Sequence, residues 1–219
     1  MPKPTLTDLE TEKVMGIGPS KAKELEAKYG IRTIAQLKKN KAAQEDLNDE
    51  ALNCLKYCPF KRYRRATVKR GYDQAKALIG PLLPKSAKMD LVGSYRRGKA
   101  TSGDIDILVT FAKNHLKEWE SVVARLNETE CKDVKWIIQS GERNSFVLHG
   151  KKFDIFLIDK ENYWTALLHW TGGHTENIVL RAHAKRLGMK LSQNGLFDKN
   201  GKKIPIHSEA DVYRALGKE

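Results

Sequence analysis

Apolar residues recur at helical spacing through the first part of the chain. Ala22 and Leu25, and then Ile34 and Leu37, each lie one helical turn apart, which predicts short amphipathic helices. Residues 72–83 repeat this pattern over a longer stretch and predict a further helix with one apolar side. The first part of the chain is therefore expected to be all helical.

From about residue 89 the pattern changes to short apolar runs, which are typical of strands. Strands are predicted at residues 89–92, 104–109, 134–138, 144–148 and 153–158. Residues 116–126 and 163–187 predict helices, residues 192–206 a small hairpin, and Ser208 the cap of a short terminal helix. The order of elements predicts an α+β protein, and we find no internal repeat.

The composition favours a folded protein with a polyanionic partner. The chain has 40 Lys and Arg residues against 27 Asp and Glu residues, a net charge of +13, and nucleic acid is the usual partner of such an excess. Hydrophobic residues make up 40% of the chain, yet no apolar run is long enough to span a membrane. The first residues lack an apolar signal core. We expect a soluble, intracellular monomer with no membrane partner.

The three cysteines predict neither disulfides nor a zinc site. Cys54 and Cys58 lie one helical turn apart and are expected to be small core residues, while Cys131 stands alone.

The clearest chemistry lies in residues 93–106. Asp104 and Asp106 are two positions apart on a predicted strand and so project from one face, while Ile105 points into the core. Adjacent carboxylates repel each other, and Mg²⁺ commonly relieves that repulsion while it also binds phosphate oxygens. Two Ser-Gly turns with Arg96 and Arg97 precede the carboxylates and suit a polyphosphate.

A third carboxylate, Asp154, lies in an otherwise apolar predicted strand. Burying it is costly unless it has ionic or hydrogen-bonded partners, although an edge strand would leave it partly exposed. In one sheet with Asp104 and Asp106 it supplies the third carboxylate of a two-metal site. Two such ions could stabilise the attacking and leaving oxygens of an in-line displacement.

Residues 14–25 contain a Gly-Ile-Gly-Pro turn before a helix and resemble the helix–hairpin–helix motif. Loop glycines let the backbone approach a phosphate, and the following helix N-terminus favours anions, so such motifs read the DNA backbone. The predicted DNA-binding residues are Gly16, Gly18, Ser20 and Lys21. The resemblance also implies that backbone carbonyls of the loop hold a monovalent cation. Residues 56–70 add seven Lys and Arg residues and no acid.

Taken together, these motifs resemble the family X, or polymerase beta-like, DNA polymerases over nearly the whole chain. The most specific segments are residues 93–98 and 102–106. The paired carboxylates and Gly-Ser turn belong to a wider nucleotidyltransferase superfamily, whereas the 171–173 turn with Asn177 and Arg181 narrows the resemblance to family X.

The resemblance implies a nucleotidyltransferase-type palm sheet between two smaller parts. The implied divisions are a helical DNA-binding subdomain at 1–87, a catalytic palm at 88–160 and a nucleotide-binding subdomain at 161–219. It also implies a template-directed DNA polymerase that adds dNMP to a primer 3′-hydroxyl, in short-gap repair. Its partners would be gapped or primer-template DNA and dNTPs.

Site roles also follow from the resemblance. Asp104 and Asp106 would bridge two Mg²⁺ ions, for which Mn²⁺ could substitute, and Asp154 would hold the catalytic ion. The expected dNTP-binding residues are Ser94, Arg97, Ser102, Gly103, Arg62, His169, Trp170, Gly172, Asn177 and Arg181.

The chain departs from the family pattern in three places. His169 and Trp170 replace the usual Tyr-Phe pair, whose Tyr helps to exclude ribonucleotides, so we expect His169 either to affect sugar preference or only to pack. Only fifteen residues precede Gly16, so we expect neither an N-terminal lyase domain nor deoxyribose-phosphate lyase activity. The short C-terminus is similar to that of compact viral members of the family.

Other functions fit parts of the pattern. A tRNA-terminal or poly(A)-type nucleotidyltransferase would share the sheet and the carboxylates, and a terminal transferase would act without a template. A non-catalytic DNA-binding protein would use only the helix–hairpin–helix and the basic stretch. Template dependence of nucleotide addition separates these alternatives.

Overall fold

The computed structural model describes residues 14–128 and 133–218, which form two compact units. The described residues of the first unit are 14–61, 133–139 and 145–152, and those of the second are 62–128, 140–144 and 153–218. The expected α+β class is confirmed. The three-part division at residues 87 and 160 stays a prediction, and Cys131 lies outside the described residues.

Short helices build most of the first unit. They are α1 (Pro19–Tyr29), α2 (Ile34–Lys39), α3 (Lys41–Glu45) and α4 (Asp49–Tyr57). Thr33 and Gln36 form a capping box at the start of α2, which satisfies backbone N–H groups that a helix start leaves unpaired. Leu25 and Leu37 are fully buried, as their helical spacing predicts. Cys54 and Cys58 are also buried in this core, as expected.

The loop before α1 requires glycine at one position. Gly16 has a φ of +79°, and an added Cβ there would lie 2.5 Å from Oδ1 of Asn48. That oxygen accepts a hydrogen bond from the backbone N–H of Ala51, so Asn48 caps α4 while it packs against the loop. Neither the packing of Asn48 against Gly16 nor its capping of α4 was predicted from the sequence.

The second unit alternates helices and strands. After residue 62 the elements are, in chain order, β1 (Tyr63–Arg64), α5 (Arg65–Ile79), β2 (Lys88–Leu91), α6 (Gly93–Arg96), β3 (Thr101–Ser102), β4 (Ile105–Phe111), α7 (His115–Glu128), β5 (Lys135–Ser140), β6 (Arg143–Leu148), β7 (Lys151–Asp159), α8 (Tyr163–Thr171), α9 (His174–Arg186), β8 (Lys190–Ser192), β9 (Gly195–Phe197), β10 (Lys203–Ile204) and α10 (Glu209–Ala215). Helix α5 begins seven residues before the predicted start because Val68 already packs inward between basic residues.

The main sheet has the order β2-β4-β7-β6-β5. Strand β4 pairs antiparallel with β2 and parallel with β7. Ile105, Ile107 and Val109 are fully buried, as alternation predicts, but Leu108 on the opposite face is buried as well. Both faces of β4 are therefore covered along most of its length, which is typical of a strand with a parallel neighbour.

The last part of the second unit has its own small core. Strands β8, β9 and β10 form a three-stranded antiparallel sheet, one strand more than the predicted hairpin. Ser208 caps α10 by accepting a hydrogen bond from the backbone N–H of Asp211, as predicted. Among the described residues, no helix combines the length and the apolar surface needed to cross a bilayer.

Candidate active site

The parallel pairing of β4 and β7 brings the three predicted carboxylates together. Asp106 and Asp154 are direct partners in the register of these strands, and Asp104 lies one residue before β4 begins. Because partners in a sheet point to the same face, all three side chains share one end of it. One oxygen of each carboxylate lies within 4.8 Å of the others.

The donor set fits a divalent cation. Three carboxylates provide oxygen ligands of the kind that hard cations prefer, and Asp154 is only 4% exposed. Taking a carboxylate this far out of water is costly without compensating positive charge. The Asp104, Asp106 and Asp154 side chains could therefore hold a metal ion.

Arg143 lies beside the most buried of these carboxylates. Its Nη2 is 3.3 Å from Oδ2 of Asp154. The sequence places Arg143 in a turn, with no periodic pattern that points to the site, whereas the structure begins β6 at this residue. The neighbouring strand thus supplies a cation that sequence analysis missed.

Gly93 allows the turn that is predicted to bind phosphate to approach the carboxylates. Its φ is +60°, and an added Cβ would overlap the Asp106 carboxylate. Residues 93–96 form the short helix α6 where the sequence predicted a Gly-Ser turn. Glycine is required here both for backbone conformation and for space.

The predicted phosphate-binding residues also converge. Ser94 Oγ donates to Ser102 Oγ at 2.8 Å, which joins α6 to β3. Arg62 donates to the carbonyl oxygen of Thr101 at 2.8 Å and to its hydroxyl at 2.9 Å. An added Cβ on Gly103 would lie 3.9 Å from Nη1 of Arg62. The structure therefore groups Arg62, Ser94, Ser102 and Gly103.

Arg65, to which the sequence analysis gave no separate role, holds the loop between α6 and β3. Its Nη1 donates to the carbonyl oxygens of Tyr95 at 2.7 Å and Lys99 at 3.3 Å. Its guanidinium carbon lies 3.9 Å from the centre of the Tyr95 ring, a cation–π contact. Part of the basic stretch thus stabilises the loop itself.

The arginine pair of α6 connects this loop to the C-terminal part of the unit. Arg96 donates to both carboxylate oxygens of Glu209, at 3.0 and 2.5 Å, and to the Thr171 hydroxyl at 3.0 Å. Arg97 donates to the carbonyl oxygen of Thr171 at 2.6 Å. It also lines a cavity of about 620 Å³ with Gly172 and Asn177.

His169, Asn177 and Arg181 form a second group on α8 and α9. Asn177 Nδ2 donates to the carbonyl oxygen of His169 at 2.8 Å, and Arg181 Nη2 lies 3.1 Å from His169 Nδ1. Burial, followed by the charge of Arg181, lowers the pKa of His169 to about 4. The ring is therefore neutral at neutral pH, and Nδ1 accepts from Arg181.

Two other predicted nucleotide-binding residues are closely packed. The Trp170 ring stacks on Phe156 with centroids 3.7 Å apart, so the indole also belongs to the core. An added Cβ on Gly172 would lie 2.9 Å from Oδ1 of Asn177. Nucleotide contact by either residue stays a prediction.

The predicted DNA-binding residues lie in the first unit. Gly16, Gly18 and Ser20 are exposed, and no atom lies within 4 Å of the position of an added Cβ on Gly18. Lys21 pairs with Glu24, with 2.8 Å between Nζ and Oε1. Their DNA contacts, like the roles of the other site residues, stay predictions.

Two family models match the chain. The DNA polymerase beta palm matches residues 62–146, and the DNA polymerase beta thumb matches residues 166–219. The chain is 30% identical to DNA polymerase lambda of Arabidopsis thaliana over 203 residues, which are 84% of this chain and 37% of that protein. It is 25% identical to DNA nucleotidylexotransferase of Xenopus laevis, over 93% of this chain and 48% of that protein. The chain thus spans less than half the length of either relative.

Solved structures give the same fold. Leishmania infantum polymerase beta in a ternary gap complex has a TM-score of 0.83 and 22% sequence identity, covering 99% of this chain and 88% of that chain.

Proposed function

The chain belongs to family X, the polymerase beta-like group, and on that premise we propose that it is a template-directed DNA polymerase. The observation that carries the proposal is the parallel register of Asp106 with Asp154, which gathers three carboxylates within 4.8 Å, with Gly93 at the start of α6 against the Asp106 carboxylate. The reaction would join a primer 3′-oxygen to the α-phosphorus of a dNTP and break the bond to pyrophosphate. Short-gap filling in repair is the setting we propose.

Asp104, Asp106 and Asp154 would hold divalent ions, and we propose Mg²⁺, with Mn²⁺ as a substitute. When bound, such ions supply positive charge to phosphate oxygens and favour ionisation of a nearby hydroxyl. Asp154 is positioned by β7 and by Arg143, so its carboxylate keeps a fixed orientation. Fixed carboxylates avoid reorganisation during the reaction, which is the main way that phosphoryl-transfer sites accelerate it.

The triphosphate would lie against α6 and β3. Ser94, Ser102 and the backbone of Gly103 offer neutral donors, while Arg62 and Arg97 offer charge. Arg62 and Arg97 both donate to backbone carbonyls, so their guanidinium groups are already oriented before a ligand binds. This orientation lowers the entropy cost of binding the phosphates.

The base and sugar would lie against α8 and α9. Asn177 and Arg181 are proposed to contact the minor-groove side of the new base pair, and neutral His169 the sugar. Exposed Gly16 and Gly18, with Ser20 and Lys21, are proposed to bind a DNA phosphate backbone. DNA binding and chemistry would thus be assigned to different residues and can be tested separately.

The test is primer extension on gapped and open templates, with each dNTP and rNTP alone and with Mg²⁺ or Mn²⁺. Asp106→Asn should lower incorporation by about 10³-fold or more, because metal-assisted charge stabilisation is worth several kcal/mol. Fluorescence anisotropy should show nearly unchanged DNA affinity. The matched control is Asp73→Asn, an exposed carboxylate on α5 that pairs with Lys69, and it should keep full activity.

The outcomes separate the competing functions. Extension that follows the template base supports the proposal. A wild-type protein that binds DNA but adds no nucleotide with either ion would replace it with a non-catalytic DNA-binding function.

A terminal transferase is the second candidate. The match to DNA nucleotidylexotransferase of Xenopus laevis covers 93% of this chain and favours it. Addition of nucleotides to a single-stranded primer, without regard to any template, would select this function over the first.

A further inference from the structure

A line of polar contacts runs from α9 to the turn between β5 and β6. Arg181 Nη2 donates to Gln193 Oε1 at 3.4 Å, and Gln193 Nε2 donates to Glu142 Oε2 at 3.4 Å. Neither Gln193 nor Glu142 belongs to the predicted site. All three residues lie in the second unit, and Gln193 and Glu142 are partly buried.

Hydrogen-bond chemistry fixes the direction of these contacts. A glutamine amide has one acceptor end and one donor end, whereas an ionised carboxylate only accepts. Glu142 can therefore bind only the Nε2 end of Gln193, which leaves Oε1 facing Arg181. An arginine only donates, so the amide in this orientation is the form that Arg181 can use.

His169 gives Arg181 a second acceptor. Because an arginine only donates, Nδ1 of the neutral His169 ring carries the lone pair and accepts from the same Arg181 Nη2 at 3.1 Å. The guanidinium group is thus held between His169 on α8 and Gln193 in the loop after β8. Two acceptors on different elements restrict its rotation more than one would.

The backbone of Glu142 is hydrogen-bonded to the main sheet. Its carbonyl oxygen accepts from the backbone N–H of Leu157 at 2.8 Å, which ties the turn to β7. Its Oε1 lies 3.8 Å from Nε2 of His115, too far for a hydrogen bond. The carboxylate that orients Gln193 therefore stands on the main sheet and does not move freely with α9.

We propose that Gln193 and Glu142 are positioning residues that set the direction of the Arg181 guanidinium group. The inference rests on the proposed function, in which Arg181 lies against the new base pair. Gln193 and Glu142 touch no reacting atom and act only through Arg181. An arginine that residues of the main sheet orient would hold the new base pair at a fixed position relative to the three carboxylates. Those carboxylates lie on the same sheet.

The kinetic test compares Gln193→Ala and Glu142→Gln with wild type on one gapped template. The second change replaces a carboxylate with an amide that can also donate, so it no longer dictates the orientation of Gln193. We expect Gln193→Ala to lower kcat/KM for the correct dNTP about 5- to 50-fold, mainly through KM, and Glu142→Gln to act in the same direction but less. The affinity for DNA should stay unchanged.

A double-mutant cycle separates positioning from general stability. If Gln193 acts through Arg181, the Arg181→Ala, Gln193→Ala double variant should be no slower than Arg181→Ala alone. Asn194→Ala is the matched control, since Asn194 is the exposed neighbour of Gln193, and it should match wild type. Additive losses in the cycle would overturn the inference.

A readout without catalysis keeps this inference separate from the proposed function. NMR signals of the Arg181 guanidinium N–H groups in the free protein should broaden in Gln193→Ala and Glu142→Gln and persist in Asn194→Ala. Unchanged signals in Gln193→Ala, or unchanged kinetics in an active enzyme, would overturn the positioning role. Failure of the wild type to add any nucleotide would instead overturn the proposed function.

Discussion

The surroundings of His169 change the pKa of its side chain. Partial burial and the nearby Arg181 both disfavour the protonated ring, so the pKa falls from 6.5 to about 4. The residue can then accept a hydrogen bond at neutral pH, which a protonated imidazole cannot do. The sequence left open whether His169 affects sugar preference or only packs, and its neutral state could not be predicted because that state depends on tertiary burial.

This lowered pKa predicts a pH dependence of stability. Unfolded His169 binds a proton below about pH 6.5 and the folded residue only below about pH 4, so acid favours unfolding between these values. After allowance for solvent screening of a partly exposed ring, wild type should lose about 1–2 kcal/mol through this window. Urea unfolding at several pH values should show a shallower dependence for His169→Gln. Equal slopes would contradict the pKa assignment.

The basic residues divide between ligand binding and internal structure. A run of charge such as residues 56–70 is usually a solvated face, and its position before the candidate phosphate-binding turn favours a nucleic-acid or triphosphate role. Arg62 and Arg65 in this stretch donate to backbone carbonyls of residues 95–101, so they also hold the candidate phosphate loop. Composition predicts how much charge a chain carries but not which charges the fold uses, since that depends on which carbonyls lie nearby.

At the level of elements, α6 and β4 can approach closely only because the first residue of α6 is glycine. The Asp106 carboxylate occupies the place of a side chain on Gly93. The first residue of α6 and the Asp106 carboxylate therefore lie side by side. Such proximity suits a ligand that carries both phosphate and divalent cations.

Gly93→Ala should lower primer extension by more than the strain of a positive φ alone would lower it. We expect a loss of primer extension of at least about 10²-fold, because Asp106 must move away from the added methyl group. Gly98→Ala is the matched control, since Gly98 also has positive φ, +79°, but open space around its Cβ position. Extension assays with both variants, alongside thermal unfolding, make the comparison. Similar activity in the two variants would show that the close approach of Gly93 to Asp106 is not needed for activity.

The sequence predicted the strands of the candidate site but not how those strands pair. Alternation along residues 104–109 and the apolar run at 153–158 correctly predicted the two strands that carry the carboxylates, although both strands extend beyond the predicted bounds. That the two strands share a sheet was expected, but their parallel register was not predicted, because periodicity says which face a residue occupies and not which strand lies beside it. Arg143 and Glu142 were missed for the same reason.

On the scale of the whole molecule, the net charge of +13 is the dominant electrostatic property. Its consequence for a DNA-binding protein is a strong salt dependence, since each neutralised phosphate releases counterions. If six or more phosphates are contacted, affinity should fall by about 10³-fold or more between about 50 mM and about 200 mM salt.

A substitution of Lys21 tests whether this residue contributes to the proposed DNA binding and to its salt dependence. Lys21→Gln should weaken DNA binding at all sequences and reduce the salt slope by about one. Lys199→Gln, a change to an exposed lysine in the loop between β9 and β10, serves as the control and should leave the slope unchanged. Anisotropy titrations at several salt concentrations measure both. A slope that changes equally in both variants would remove Lys21 from the DNA-binding surface.

The pairing of Asp106 with Asp154 also bears on how the chain folds. Forty-eight positions along the chain separate these residues, and parallel strands can meet only through a long crossover connection. Closing so long a loop is entropically costly and slow, so the three carboxylates would assemble late, after most local helices have formed. During synthesis, a ribosome-bound chain that ends before β7 carries the phosphate turn but lacks the complete cation-binding centre. The proposed nucleotide addition would therefore become possible only after the sheet is complete.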